Sequence, residues 1–471
     1  MFNTLYLNFI KFNAYYDDKH HEKILNKFNL KFNIFLDKIS KKRYFLNCQN
    51  IHISIIRLVF NNPTKSIALV VSFLLEIPIK IVFRILNILK ADTQYYRSIR
   101  DSIIDGIERK TGDVRENKDL KLFIRKYFFS FIFRSVSVIL LLETIDKYRK
   151  LYSINTLVYE QHGGFPFGAV SAYCKKYDLY SCNGTLQIKP FNKYSLNINF
   201  YVSKGFESDR IPLPHDLKEL KKLSDAKLEN YLKLIKKDFL LKRDPVCNPE
   251  FIQYDNRGSK KDFKYFKNIF NNKKPNGIVL IHLLTDSARK RNEFLWFNNY
   301  LEWLYETIDN CSKNKNINWF FKSHPFEKAY PILEKQKNII KKRIIDNGFF
   351  YIEAQEKFLQ EDISQLCSVA ITCHGTCKLE LPALYGIPVI SCIGFNELPY
   401  DSLKLPFTAR NPEEYKSLIL NSHKLNLSIE QIRKAKELLV FNKILSGVDI
   451  NKKIEIHKHL DRDNEIVLRN N

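Results

Sequence analysis

The sequence predicts an α/β protein built on parallel sheets, with a helical extension at its amino-terminal end. One observation is a set of short apolar runs: GIVLI at residues 277–281, NWFF at 318–321 and SVAITC at 368–373. They are rich in β-branched and aromatic residues and are separated by longer helical patterns, as buried strands of a parallel sheet are. A second observation is that each run leads directly into a polar cluster. These are His282 to Ser287, then Lys322-Ser323-His324-Pro325, then His374-Gly375-Thr376 followed by Glu380. In open α/β sheets ligands bind just beyond the carboxyl ends of the strands, so the three clusters are expected in one crevice. The third observation is size: 471 residues, 45% of them hydrophobic, suffice for two cores.

The formal charge of +25 suits an anionic partner such as nucleic acid, an acidic bilayer surface or a phosphorylated substrate. Heavy use of Lys, Asn, Ile and Phe offers a second explanation, a compositional bias of the source. The basic residues are dispersed and match no recognised nucleic-acid module, so no nucleic-acid partner is expected. The nine cysteines form no C-x-x-C pair and read as reduced thiols of a cytoplasmic protein. Cys373, His374 and Cys377 lack a fourth ligand, and no metal is expected there. The opening MFNTLYLNFIKFNAYYDDKHHEK has early acids and no small-residue cleavage site after an apolar core, so no secretory leader is expected.

Three regions follow in order. Residues 1–150 are expected to be helical and membrane-associating, 151–270 to form a first α/β domain packing with part of 1–150, and 271–471 a second with terminal helices. The boundary is placed near the basic, turn-rich run at 258–277. Residues 66–90, SIALVVSFLLEIPIKIVFRILNILK, are the most apolar segment but contain Glu76, Pro78, Lys80 and Arg84. Those charges argue against a spanning helix. A helix in the membrane interface and a core helix pair broken at Pro78 both fit. Residues 120–142 read as a buried helix interrupted by Arg125, Lys126 and Arg134. In residues 95–112, Ile103, Ile104 and Ile107 fall at helical spacing with Gly112 as a C-cap, and Asp105 with Arg109 reads as a surface ion pair. Residues 156–182 read as a β-α-β unit. Its turn carries Glu160, His162, Gly163, Gly164 and Gly168 at the carboxyl end of the first strand, where glycines let backbone approach a ligand. Residues 216–242 read as a surface helix pair.

Within the second domain, Phe294, Phe297, Leu301, Leu304 and Ile308 form a helical stripe, beside which Trp296, Tyr300 and Trp303 read as core. Asp286 either orients or deprotonates a hydroxyl nucleophile, or caps that helix. His282, Thr285 and Ser287 are substrate-binding candidates from the same cluster. Pro325 ends its strand and fixes a turn, leaving Lys322, Ser323 and His324 to donate charge-assisted hydrogen bonds to phosphate. His374, Gly375 and Thr376 make a turn into a helix, suited to a phosphate, and Glu380 suits a ribose. Pro382 implies that this helix starts late or kinks.

The segments HLLTDSARKRNEFLWFNNYLEWLYETI, NINWFFKSHP and ITCHGTCKLELPALYGIPVISC, in that order, resemble the carboxyl-terminal half of bacterial capsular and surface polysaccharide biosynthesis glycosyltransferases of GT-B fold. The resemblance covers residues 275–412, with weaker echoes in YEQHGGFPFGAVSAYCKKYDL and around Asp105 to Arg109. It implies two Rossmann-like domains facing across a cleft, a nucleotide-sugar donor held by the second domain, and a glycan or lipid-linked glycan acceptor reached through the first. It further implies that His324 and Gly375-Thr376 hold the donor phosphate and Glu380 the ribose. The chain departs from the family in its amino-terminal third and in lacking an obvious acidic pair for the base. Glu160, His162 and Asp286, in falling order, are the candidates for that role. The expected enzyme is a nucleotide-sugar-dependent glycosyltransferase needing no cofactor and no metal, cytoplasmic and peripherally attached to the inner face of the cytoplasmic membrane. The alternatives are transfer of a polyol phosphate from a CDP-linked donor, epimerisation of a sugar nucleotide, and a non-enzymatic scaffold of a polysaccharide assembly complex.

Overall fold

A computed structural model describes residues 2–8, 40–47, 51–115, 120–159, 165–188, 196–204, 220–242, 263–270, 274–285, 296–297, 299–328, 331–354, 356, 358–373, 375–392, 407–441, 454–459 and 465–470. In chain order its strands are β1 (Phe2–Asn8), β2 (Ser40–Asn47), β3 (Thr156–Tyr159), β4 (Tyr180–Ile188), β5 (Leu196–Lys204), β6 (Asn276–Leu280), β7 (Asn318–Lys322), β8 (Phe350–Ile352), β9 (Val369–Thr372), β10 (Val389–Cys392), β11 (Thr408–Ala409), β12 (Ile454–His459) and β13 (Glu465–Asn470). The class is α/β, as the sequence predicts.

The chain divides into two compact units. The first comprises Met1–Ile107, Ile124–Ser208 and Gly447–Asn471, and the second Glu108–Phe123 and Asp209–Ser446. This division differs from the three consecutive regions expected. The sequence boundary near 258–277 falls inside the second unit, and both chain ends belong to the first.

The first unit holds a seven-stranded sheet of order β12-β13-β5-β4-β3-β1-β2. Strands β2, β1, β3 and β4 run parallel, while β5, β13 and β12 extend the sheet antiparallel. The amino-terminal region is therefore helical with two strands of its own in this sheet. Its helices are α1 (Ile51–Phe60), α2 (Ser66–Val71), α3 (Ile77–Lys90), α4 (Gln94–Thr111), α5 (Leu120–Lys126), α6 (Phe128–Tyr152) and α7 (Phe167–Lys176), of which α4 and α5 run past the dividing points. The expected β-α-β unit is present as β3, α7 and β4, with β3 buried along its whole length.

Three readings are corrected here. The helix of residues 66–90 is not broken at Pro78, because a π-helical turn over Ser72–Glu76 joins α2 to α3 just before it. The wider turn displaces the bonding pattern where proline lacks its N–H. Nor is that helix a core pair, since Ile67, Leu74, Ile79 and Phe83 are exposed. Asp105 is fully buried rather than part of a surface pair. Helix α4 is interior there: a Cβ on Gly106 would lie 2.6 Å from both Arg134 and Phe165. The triad Ile103, Ile104 and Ile107 is fully buried, and Gly112 closes the helix at φ +70°. Residues 120–142 are buried in part: the start of α6 exposes Phe128, Phe129 and Phe133, whereas Val138, Ile139 and Leu142 are core.

The second unit holds six parallel strands in the order β11-β10-β9-β6-β7-β8. Counted within the unit this is 6-5-4-1-2-3, the order of doubly wound dinucleotide-binding sheets, whose switch point lies between the first and fourth strands. Its remaining helices are α8 (Asp225–Lys242), α9 (Phe263–Ile269), α10 (Tyr300–Lys313), α11 (Glu334–Asp346), α12 (Gln360–Leu366), α13 (Cys377–Tyr385), α14 (Pro412–Leu420) and α15 (Ile429–Val440). Alternation along each strand sends Val279, Phe321, Ile371 and Ile390 into one core with α10, α11 and α14. Their neighbours Ile278, Phe320, Ala370 and Val389 enter the other, with α9, α12 and α13. Phe297, Leu301, Leu304 and Ile308 are buried as the stripe predicts, as are Tyr300 and Trp303. Phe294 lies outside the described residues. Helix α8 is not wholly a solvated surface element, because Leu228, Leu232 and Ile235 seat it against α13 and α15.

Candidate binding crevice

Strand register brings the polar clusters to one edge. Leu280 at the end of β6 pairs with Lys322 at the end of β7 and with Thr372 at the end of β9. All three loops therefore leave the sheet side by side, flanking the switch point. Close packing fixes this register, since a Cβ on Gly277 would meet the Trp319 ring at 2.5 Å.

Beyond β6 and β7 the chain is stitched by backbone bonds. Ile281 N–H donates to Lys322 O at 2.9 Å, and Ser323 N–H to Ile352 O at 2.9 Å. A 3₁₀ turn begins at Pro325, and Glu327 N–H donates to His324 O at 3.0 Å. Pro325 thus ends the strand as expected, and His324 is held at the sheet edge. A shallow, solvent-open crevice lies here, lined by residues 281–284, Ser323, His324, Glu327, Ile332, Lys337, Ile340 and Tyr351. The His282 ring stacks on Tyr300 at 4.1 Å, and its centroid is 6.1 Å from that of His324. Ser323 and Tyr351 share a hydrogen bond between their hydroxyls, and burial raises the Tyr351 pKa.

Charge in the crevice is largely balanced. Lys337 Nζ donates to Glu327 at 2.7 Å and lies 3.4 Å from Glu353. Burial works against the Lys337 charge, but the bond to Glu327 and the two carboxylates outweigh it and hold the pKa above the usual lysine value. Lys322 is not on the lining. It is 7% exposed and its ammonium points to Glu356 O at 3.4 Å. Burial pushes its pKa down to about 8, against the pull of Glu356, Glu327 and Asp362.

At β9, Gly375 N–H donates to Thr372 Oγ1 at 3.2 Å, and Cys392 N–H donates to Cys373 O at 3.1 Å. Helix α13 begins directly after exposed Thr376 and runs through Pro382, so the late start expected from that proline is corrected. Lys378, Leu379 and Glu380 N–H donate to carbonyls of Gly375 and Thr376, closing the first turn. Glu380 is 4% exposed and accepts from Gln360 Nε2 at 2.7 Å.

The crevice therefore joins two of the three clusters through His282, Ser323 and His324. Thr285 is buried away from the lining. Gly375, Thr376 and Glu380 leave the neighbouring strand end but do not line it. Glu160, His162, Asp286, Ser287 and His374 lie outside the described residues. Sequence reasoning missed Glu327, Lys337 and Tyr351 and took Tyr300 as core alone. Only Glu327, two residues after the Lys-Ser-His-Pro run, had a local signal.

No protein-family model and no curated protein matches the chain. Among solved structures it is similar to an α,α-trehalose-phosphate synthase (UDP-forming) from Burkholderia xenovorans in complex with glucose-6-phosphate, at 10% identity over 65% of this chain and 62% of that one, TM-score 0.32. It is also similar to a UDP-GlcNAc 2-epimerase from Neisseria meningitidis bound to UDP-GlcNAc, at 9% identity over 65% and 81%, TM-score 0.28. A UDP-GlcNAc 2-epimerase from Methanocaldococcus jannaschii gives 13% identity over 73% and 95%, TM-score 0.29. The chain spans about three fifths of the length of the first two synthases it matches. Likeness at this level says nothing of substrate or reaction.

Proposed function

We propose that this chain is a nucleotide-sugar-dependent glycosyltransferase of GT-B type. It moves a sugar from its donor to a capsular or other surface polysaccharide, as a cytoplasmic enzyme in peripheral contact with the inner face of the cytoplasmic membrane. The observation that carries this reading is the pair of imidazoles, His282 and His324, 6.1 Å apart at the carboxyl edge of a sheet with dinucleotide-binding strand order. Two imidazoles so placed can donate to different oxygens of one phosphate. Donors fixed before the reaction stabilise charge as the nucleotide leaves. The stack on Tyr300 positions the His282 ring, and the Pro325 turn holds the His324 backbone at the sheet edge. Gly375, Thr376 and Glu380, one strand over, are assigned to the remainder of the donor. The acceptor hydroxyl requires a base, for which Glu160, His162 and Asp286 are the candidates.

The test is nucleotide release from a panel of UDP-, GDP- and CDP-linked donors. His324→Ala and Glu380→Ala, with unchanged circular dichroism, are each expected to cut the rate by about 10²-fold. Wild-type rates in both folded variants end the assignment. A changed sugar nucleotide without acceptor indicates epimerisation, phosphorus carried with a polyol indicates phosphotransfer, and no nucleotide binding by calorimetry indicates a scaffold.

A further inference from the structure

We propose that the helix of residues 63–90, together with the start of α6, is a lipid-facing surface that seats the first unit in the interface of an anionic bilayer. This deepens the membrane contact proposed above and rests on it, by naming the surface that makes it.

This helix is apolar on both sides, with Leu69, Ile77 and Ile88 buried against the first unit. Ile67, Val71, Leu75, Ile79, Val82 and Phe83 recur at helical spacing and all face outward, from 49% to 81% exposed. A helix packed on a soluble protein turns such a stripe to the core and its charges to water. Here the charges lie along the seam with α6, Arg84 turned in toward buried Glu143 while Glu76 and Lys80 stay partly exposed at its edge. Glu143, on α6, pairs with Arg84 and lies 4.0 Å from Lys80. Glu76 accepts from Ser72, Lys80 and Lys147, and the bond from Lys80 leads in holding its pKa at about 2. Asn62 Nδ2 donates to Tyr152 Oη at 2.7 Å, so the helix runs antiparallel to α6 with a charged seam between them. Ionisable groups confined to a seam and paired there, with an uncharged stripe outside, are the arrangement of a helix in contact with lipid. Phe129 and Phe133 of α6 extend the apolar surface.

The helix lies in the interface rather than crossing it. Its 28 residues span about 42 Å, enough to cross the hydrocarbon core with tilt, but Lys80 and Arg84 midway along it are held to α6 of the first unit through Glu143. The second half of α6, with Val138, Ile145 and Tyr148 buried, belongs to the core of the first unit. Charge selects the occupant: Lys65 and Lys90 are exposed at the two ends of the helix, and Arg125 and Lys126 are exposed just before α6. Anionic headgroups pair with all four. A second copy laid antiparallel on the stripe would set Lys65 against Lys90.

The test is co-sedimentation of the full chain with phosphatidylcholine vesicles containing phosphatidylglycerol. The wild type is expected to bind, and the double variant L74D/F83D, altered at two exposed positions, to bind at least about tenfold more weakly with unchanged circular dichroism. Leu75→Trp is expected to give emission quenched by brominated lipid. Wild-type binding retained in L74D/F83D overturns this surface and leaves membrane contact standing. Absence of wild-type binding overturns both, and a dimer in solution that L74D/F83D abolishes overturns this surface. Nucleotide release in vesicle-free solution is read separately, so failure of the catalytic proposal is distinguishable from failure of this one.

Discussion

Replacing Lys322 by methionine is expected to stabilise the second unit near neutral pH and, because its side chain lies off the crevice lining, to leave nucleotide release unchanged. The lysine pKa falls from 10.5 to about 8 because its ammonium is buried. A base held below its unfolded pKa costs stability fully at low pH, where both states carry the proton. As pH rises from about 8 toward 10.5 the folded state sheds its proton first, the unfolded chain binds more protons, and stability increases. The interval corresponds to about 3 kcal/mol. Methionine has similar length and no charge, so it removes that cost but also the bond to Glu356 O, a loss of about 1 kcal/mol. The net expectation is a gain of about 2 kcal/mol near pH 7, vanishing or reversing by about pH 10. Urea unfolding followed by tryptophan fluorescence suits the measurement, because Trp296, Trp303 and Trp319, the three tryptophans of the chain, all lie in the second unit. A difference between variant and wild type that does not change with pH refutes the burial argument. A stabilised variant with diminished nucleotide release would return Lys322 to the site.

Two further substitutions test the packing that sets the strand register. Gly277→Ala forces a Cβ to within 2.5 Å of the Trp319 ring and 2.9 Å of Ile317; overpacking is expected to cost about 1–3 kcal/mol in urea unfolding. Trp303→Phe removes the bond from Nε1 to Tyr415 Oη, 2.9 Å long, inside a fully buried network that also includes Thr307. A loss of about 2 kcal/mol is expected, read as a shift in urea midpoint without a change in slope.

The second unit was legible because its signals are local. GIVLI, WFF and VAIT are short β-branched or aromatic runs that strands require, and Pro325 and Gly375 mark where two of them end. Convergence of His282 and His324 followed from strand parallelism alone. The order 6-5-4-1-2-3 did not, since it depends on which strands pair across intervening helices. Lys337 and Tyr351 escaped for the same reason: each reaches the crevice from an element whose sequence reads as surface helix or core strand. Lys322 shows the opposite failure. Its motif placed it at the strand end, but strand alternation, which sends Phe321 to one core and Ile278 with Phe320 to the other, also turned its side chain away from the lining.

The first unit was hidden by separation along the chain. Its sheet draws β1 and β2 from the amino-terminal end and β12 and β13 from the carboxyl-terminal end, and no local pattern announces pairings as distant as Thr4 with Thr156 or Val467 with Tyr201. The helix of residues 63–90 exposes a deeper limit. Apolar periodicity establishes that a helix has two unlike faces, yet it is silent on which one meets the protein. What marks the packed side is Glu143 on α6, a buried partner to Arg84, together with Leu69, Ile77 and Ile88, which are buried on the same helix. A buried carboxylate left without that cation would cost about 3–5 kcal/mol. The pairing of Glu143 with Arg84 therefore contributes to which side packs, and the apolar stripe left outside is the surface for which bilayer contact is proposed above.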